Sequence, residues 1–151
     1  MLPGPVLLDT DTLSEISRGH PGAVARARAY LGQFGKLTIS SVTVFERRRG
    51  YCAALRAGKP YHEQSRAFEA LVNDSLVIPF DESAAGFAAT IWAAASRAQR
   101  QGLGDILIAA TALAQQLPLV TRNRRDFNGL MKVSGLTLPL VDWTSKSASR
   151  G

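Results

Sequence analysis

A chain of 151 residues with 46% hydrophobic content is long enough for one buried core and short for two ordinary domains. Eighteen basic residues against twelve acidic ones give a formal net charge of +6, so the natural partner is a polyanion or an acidic protein. The single cysteine, Cys52, excludes an internal disulfide and a thiolate zinc site, fits a reducing cytoplasm, and is expected to serve in packing.

The opening Met-Leu-Pro-Gly-Pro lacks the basic start and apolar run of a signal peptide. No stretch approaches the roughly 18 apolar residues of a membrane span, so the expectation is a soluble, cytoplasmic protein with no membrane partner. Only Lys36, Lys59, Lys132 and Lys146 are lysines; the other basic residues are arginines, whose forked donors suit phosphates and carboxylates.

Residues 5–8 form an apolar run ending at Asp9, which predicts a buried strand whose carboxyl end presents an acid. Residues 12–18 read as a short helix, and Pro21 stands where a first helical residue would, leading residues 23–31 into a second. Residues 37–40 predict the next strand. Ser40 or Ser41 can cap a helix through Val42, Phe45, Glu46 and Arg49 toward Leu55, ended by Gly58 and Pro60. A further helix is expected over 61–72 and a third strand over 76–80. Asp81 is placed to cap one long alanine-rich helix over 82–100, which Gly102 and Gly104 break. From Asp105 the residues Ile106, Ala109, Ala110 and Leu113 recur at helical spacing, and 118–121 is a compact fourth strand. This alternation predicts an α/β fold, a mainly parallel sheet covered by helices on both faces, with ligands bound outside the carboxyl ends of the strands. One domain is expected over 1–143, followed by a flexible tail over 144–151.

Glu15, Glu63, Glu69, Asp74, Glu82 and Asp142 lie in polar settings and read as solvated charges, and Asp81 as a cap. Asp9, Asp105 and Asp126 each stand where an apolar segment meets a turn, on the rim to which strands deliver residues. Glu46 joins them about one turn into its helix, with Val42 and Phe45 on its apolar side and Gly50 leaving room beside it. Each acid alone reads equally well as a cap or surface charge; four on one rim point to a site. Converging carboxylates repel one another unless a cation neutralises them, and hard oxygen ligands suit Mg²⁺, or Mn²⁺ in its place, rather than zinc. His20 and His62 lie away from all four acids, which argues against a histidine acid–base pair and against Cys-His or Ser-His-Asp nucleophiles. Arg47, Arg48 and Arg49 follow Glu46, and Arg122, Arg124 and Arg125 crowd Asp126, either as a solvated basic face or as a collar for an RNA backbone.

At these residues the chain resembles the PIN-domain toxins of bacterial type II toxin–antitoxin systems, the VapC-like ribonucleases. The resembling segments are LLDTDTLSEI around Asp9, ISSVTVFERRRG around Glu46, GDILIAATALAQQLPLVTRNRRDF from Gly104 to Phe127, and the closing GLTLPL. The resemblance implies a PIN-like three-layer sandwich in which Asp9, Glu46, Asp105 and Asp126 form a catalytic, metal-holding quartet. It implies Thr10, Thr121 and Asn123 as polar supports; from charge placement alone, Arg47, Arg49, Arg122, Arg124 and Arg125 are the candidates for RNA contact. It further implies Mg²⁺-dependent RNA cleavage, a homodimer, and inhibition by a cognate antitoxin. Asp11 stands where the family often has Asn, and Phe45 where a smaller residue is commoner. Three other readings stay open: an aspartyl phosphatase on Asp9-Thr10-Asp11, a non-catalytic nucleic-acid-binding module, and a PIN nuclease outside any toxin pair. Against the first, Leu13 occupies a position where Thr or Val is wanted.

Overall fold

The computed structural model describes residues 4–145. Five short strands pair in parallel in the order β3-β2-β1-β4-β5: β1 (Leu7–Leu8), β2 (Thr38–Ser40), β3 (Leu76–Ile78), β4 (Leu119–Val120) and β5 (Leu140–Val141). Leu7 lies opposite Leu119 and Leu8 opposite Val120. Successive strand residues point to opposite faces, so Leu7 and Leu119 enter one apolar layer while Leu8 and Val120 enter the other. A strand buried on both faces reads as an unbroken apolar run, which is the pattern seen at 5–8 and 118–121.

Parallel neighbours need crossovers, and eight helices among the described residues supply them or flank them: α1 (Thr10–Ser17), α2 (Pro21–Phe34), α3 (Ser41–Arg56), α4 (His62–Asn73), α5 (Glu82–Ala94), α6 (Arg97–Gln101), α7 (Leu103–Gln115) and α8 (Arg124–Ser134). One layer is built on Ile91 of α5, Ile106 and Ile108 of α7, and Phe127 and Leu130 of α8. The other holds Leu13 of α1, Tyr30 of α2, Phe68 of α4 and Trp143. The three-layer α/β arrangement is thus the one the sequence predicts. Burying side chains of this size contributes about 1.5–3 kcal/mol each. Tyr30 also keeps its hydroxyl satisfied, accepting the Val6 N–H at 3.2 Å.

Several local expectations are corrected. The run 82–100 is two helices: α5 ends at Ala94, Ala95 is extended, and α6 starts after Ser96. The cause is a capping box, in which Ser96 Oγ accepts the Gln99 N–H at 3.1 Å and Gln99 Oε1 accepts the Ser96 N–H at 2.8 Å. Gly104 does not break a helix; it lies in the first turn of α7, which begins at Leu103. The sequence reading misses α8, which buries Phe127, Leu130 and Met131 and ends at left-handed Gly135, and it misses β5. Cys52 is exposed rather than packed, and Phe45 is 60% exposed rather than on the apolar side of α3. Of the expected tail, residues 146–151 lie outside the described residues. Just before them, Arg26 donates to the carbonyls of Trp143 and Ser145, and Thr144 donates twice to Asp142 Oδ1. No helix among the described residues is long and apolar enough to cross a membrane.

Candidate active site

The carboxyl edge of the sheet is where β1 delivers Asp9, β2 delivers Ser40 and β4 delivers Thr121. Asp9 is the N-cap of α1, and its Oδ1 accepts the Thr12 N–H at 2.7 Å. A helix N-terminus, with unpaired N–H groups and a positive dipole end, is a natural seat for a carboxylate. Burial nevertheless pushes the Asp9 carboxyl above its ordinary range, a push that hydrogen bonds from Thr121 and Thr12 partly oppose.

Glu46 reaches the same edge from α3. Its Oε1 accepts the Thr10 hydroxyl at 2.7 Å. Thr10 Oγ1 lies 3.0 Å from Thr43 Oγ1, and Ser40 Oγ donates to Thr43 Oγ1 at 3.2 Å. With the Thr10 proton directed at Glu46, Thr43 must be the donor to Thr10. The three hydroxyls therefore all donate toward one carboxylate, which locks its rotamer. The room that Glu46 uses is provided by Gly104, not Gly50: a Cβ on Gly104 would lie 2.3 Å from Glu46 Oε2, whereas one on Gly50 would meet nothing within 4 Å.

Asp105 and Asp126 are each the third residue of a helix, α7 and α8. Burial raises the Asp105 carboxyl to about 6, helped by the charges of Asp9, Asp11, Glu46 and Asp126. Asp11 is therefore a fifth acid in the same field. Asp126 is exposed, and its Oδ2 accepts Asn123 Nδ2 at 2.9 Å. Asn123 occupies the N-cap position of α8 yet makes no side-chain cap; its amide is turned to Asp126, while its N–H donates to Thr121 Oγ1 at 2.9 Å. The structure thus gathers the four acids with Thr10, Thr121 and Asn123, the residues the sequence reading singled out. Among the described residues no three His, Cys, Asp or Glu side chains already stand close enough to enclose an ion.

The arginines behave less uniformly. Arg47 turns inward, donating to Ser14 Oγ at 2.8 Å and Tyr51 OH at 2.9 Å, with its guanidinium over the Tyr51 and Phe68 rings. Arg48 pairs with Glu69, and Arg122 pairs with Glu15, which also takes Arg18, so these two glutamates are ion-paired rather than merely solvated. Arg49 lies over exposed Phe45, and Arg124 and Arg125 are exposed near Asp126. Two hollows adjoin the acids. A cleft of about 370 Å³ between α6 and α8 is lined by Asp105, Asp126, Arg125 and Gln99, and a groove of about 590 Å³ leads from Glu46 past Arg47 toward Tyr61. Gly104, Thr43 and Gln99 are the site residues that sequence reasoning missed. The Ser96-x-x-Gln99 spacing could have revealed Gln99 as a capping residue; the role of Gly104 depends on how closely α3 and α7 pack.

Residues 6–131 match the PIN domain family model. The chain is 32% identical over 126 residues to the VapC ribonuclease Y4jK of Sinorhizobium fredii, covering 81% of this chain and 89% of that protein. Its fold is similar to that in the crystal structure of DNA-bound VapBC from Salmonella typhimurium, with a TM-score of 0.68 and 26% identity over 95% of this chain and 99% of the other. It is also similar to a chain of a toxin–antitoxin complex from Klebsiella pneumoniae, with a TM-score of 0.55 and 28% identity over 90% and 98% of the two chains.

Proposed function

This chain belongs to the PIN-domain family, and on that premise we propose that it is a metal-dependent endoribonuclease, the toxin of a toxin–antitoxin pair. One observation carries the reading: acids from four separate segments are gathered so closely that Asp105 feels the charges of Asp9, Glu46 and Asp126. Like charges brought together by folding are destabilising by themselves, and a cation is what makes them useful. The donors are hard oxygens, while His20 and His62 sit at the starts of α2 and α4, so Mg²⁺ suits the set and Mn²⁺ can replace it. Mg²⁺ keeps several of its waters and takes only one or two carboxylates directly, which fits acids that do not already enclose an ion.

Asp9 and Asp126 are the direct ligands in this reading, and Asp105 and Glu46 are ligands or orient the attacking water. The bound ion would supply charge to the phosphate and make a water more acidic. Orientation is the work of the chain. The hydroxyl run ending at Thr10 holds Glu46, Thr121 holds Asp9, and Asn123 holds Asp126. Asp105, with its carboxyl near 6, is suited to accept a proton from water close to neutral pH. Arg49, Arg124 and Arg125 are exposed to an RNA backbone, whereas Arg47 and Arg122 reach it only by leaving their present partners.

The relatedness to a VapC ribonuclease and the likeness to a chain of a toxin–antitoxin complex support an antitoxin as the partner that masks the site. A cytoplasmic homodimer belongs to the same reading. The test is to incubate purified, partner-free protein with RNA and Mg²⁺, then chelate with EDTA and restore the ion. Cleavage should stop and resume. Cleavage that survives full chelation overturns the metal mechanism, and folded protein that cuts no RNA overturns the nuclease. Inducing the chain alone should arrest growth, and co-expressing its neighbouring gene should relieve the arrest.

A further inference from the structure

The cleft between α6 and α8 holds an amide for which the cleavage chemistry has no use. Gln99 is half-buried in its wall, and its side chain cannot turn over. Oε1 accepts the Ser96 backbone N–H at 2.8 Å. A backbone N–H can only donate, so the usual ambiguity between amide oxygen and nitrogen is removed and Nε2 must face the other way. There it lies beside Gly129, where a Cβ would stand 3.4 Å from it. No described residue accepts its hydrogens.

Gly102 and Gly129 leave the walls of the cleft bare, Arg125 stands at its rim, and Asp105 and Asp126 line the same space. Its volume of about 370 Å³ falls within the roughly 300–1,000 Å³ of small-ligand sites. Fixed N–H donors, bare walls that admit a flat ring, and a cation beside the cleavage acids together match one nucleotide of a single strand. We propose that Gln99 reads the base next to the scissile phosphate at the 6-position of a purine or the 4-position of a pyrimidine, and selects the keto oxygen that guanine or uracil presents there over the amino group of adenine or cytosine. The inference rests on the ribonuclease reading above. An amide NH₂ facing that keto oxygen gains a hydrogen bond, whereas facing the amino group it sets donor against donor once the base has displaced water, which is worth roughly tenfold to a hundredfold in discrimination.

The test uses the full chain with Mg²⁺ and single-stranded RNA oligomers that differ only in the bases flanking one cleavage site, and it reads ratios of cleavage between bases rather than absolute rates. The native chain should cut beside guanine or uracil at least about tenfold better than beside adenine or cytosine at one flanking position. Gln99→Glu preserves the capping box, because Glu closes it as well as Gln does, but replaces the free donors with an acceptor oxygen. Its preference should invert toward adenine and cytosine. Gln99→Ala should lose the preference, with a thermal melt recording the loss of half the cap. If the native chain cuts RNA and all three proteins show the same base pattern, Gln99 is a cap alone and the inference falls while the nuclease stands. If the folded native chain cuts none of the RNAs, both fall together.

Discussion

At Asp9 one carboxylate caps α1 through Thr12 and faces the other acids, so its substitutions separate the two roles. Asn caps a helix about as well as Asp, so Asp9→Asn should melt no lower than the native chain in EDTA while losing cleavage. Asp9→Ala should melt lower as well, by about 1 kcal/mol of lost capping. The loss of cleavage should reach roughly a hundredfold, equivalent to about 2.7 kcal/mol of transition-state stabilisation. Asp9→Asn that melts lower yet cleaves normally would make Asp9 structural only. Gly104 offers the cleaner separation. Alanine is the better helix former by roughly 0.5–1 kcal/mol, and Gly104 shows no left-handed backbone, yet a Cβ there displaces Glu46 Oε2. Gly104→Ala should therefore hold or raise the melting temperature while cutting cleavage about tenfold or more, since a misplaced group near the chemistry is costly even when the fold is intact. Normal cleavage by this variant would remove Glu46 from the site.

Among the elements, the two central strands were readable because burial on both faces leaves no room for polar alternation, and Asp9, Asp105 and Asp126 stood out as candidates because each lies where an apolar segment meets a turn. Glu46 required helical spacing as well. What stayed hidden depends on contacts between elements. The inward turn of Arg47 needs Ser14 of α1 beside α3, and the fit of Gly104 needs α7 against Glu46. The break between α5 and α6 was masked differently: a run of alanines reads as one helix, although Ser96 competes for the backbone N–H groups and closes its box with Gln99. Ser96→Ala should accordingly lower stability by about 1 kcal/mol and speed amide exchange at the Gln99 N–H, which now donates to Ser96 Oγ. Unchanged exchange at Gln99 would mean that the box does not order α6.

For the whole molecule, the gathered acids tie stability to pH and to the ion. Burial and the neighbouring acids push the Asp105 carboxyl up to about 6 from an ordinary value of 3.8, so between these values the folded chain holds the proton more tightly than the unfolded one. Stability contributed by this group is therefore present at low pH and lost as pH rises through that window. In EDTA the melting temperature should rise as the protein is acidified from about pH 7 to about pH 5, and Asp105→Asn should flatten that rise. Mg²⁺ should act in the opposite sense, raising the melting temperature most above pH 6, where the carboxylate is ionised and an ion that binds only the folded state stabilises it by mass action. A native profile in EDTA that falls on acidification through this range would contradict the crowding of charge around Asp105.

The strand order carries a consequence for timing. The sheet is closed at its centre by Leu7 and Leu8 against Leu119 and Val120, two segments far apart in the sequence, so that one is made long before the other. Asp126, on the helix after β4, is the last of the four acids to leave the ribosome. Until β4 is made, β1 has only β2 to pair with, and Asp9 has neither Thr121 nor Asp126 beside it. On the proposed function, a nuclease assembled in this way stays inert until β4 and Asp126 have been made, so an inhibitor would have to be at hand when β4 pairs with β1.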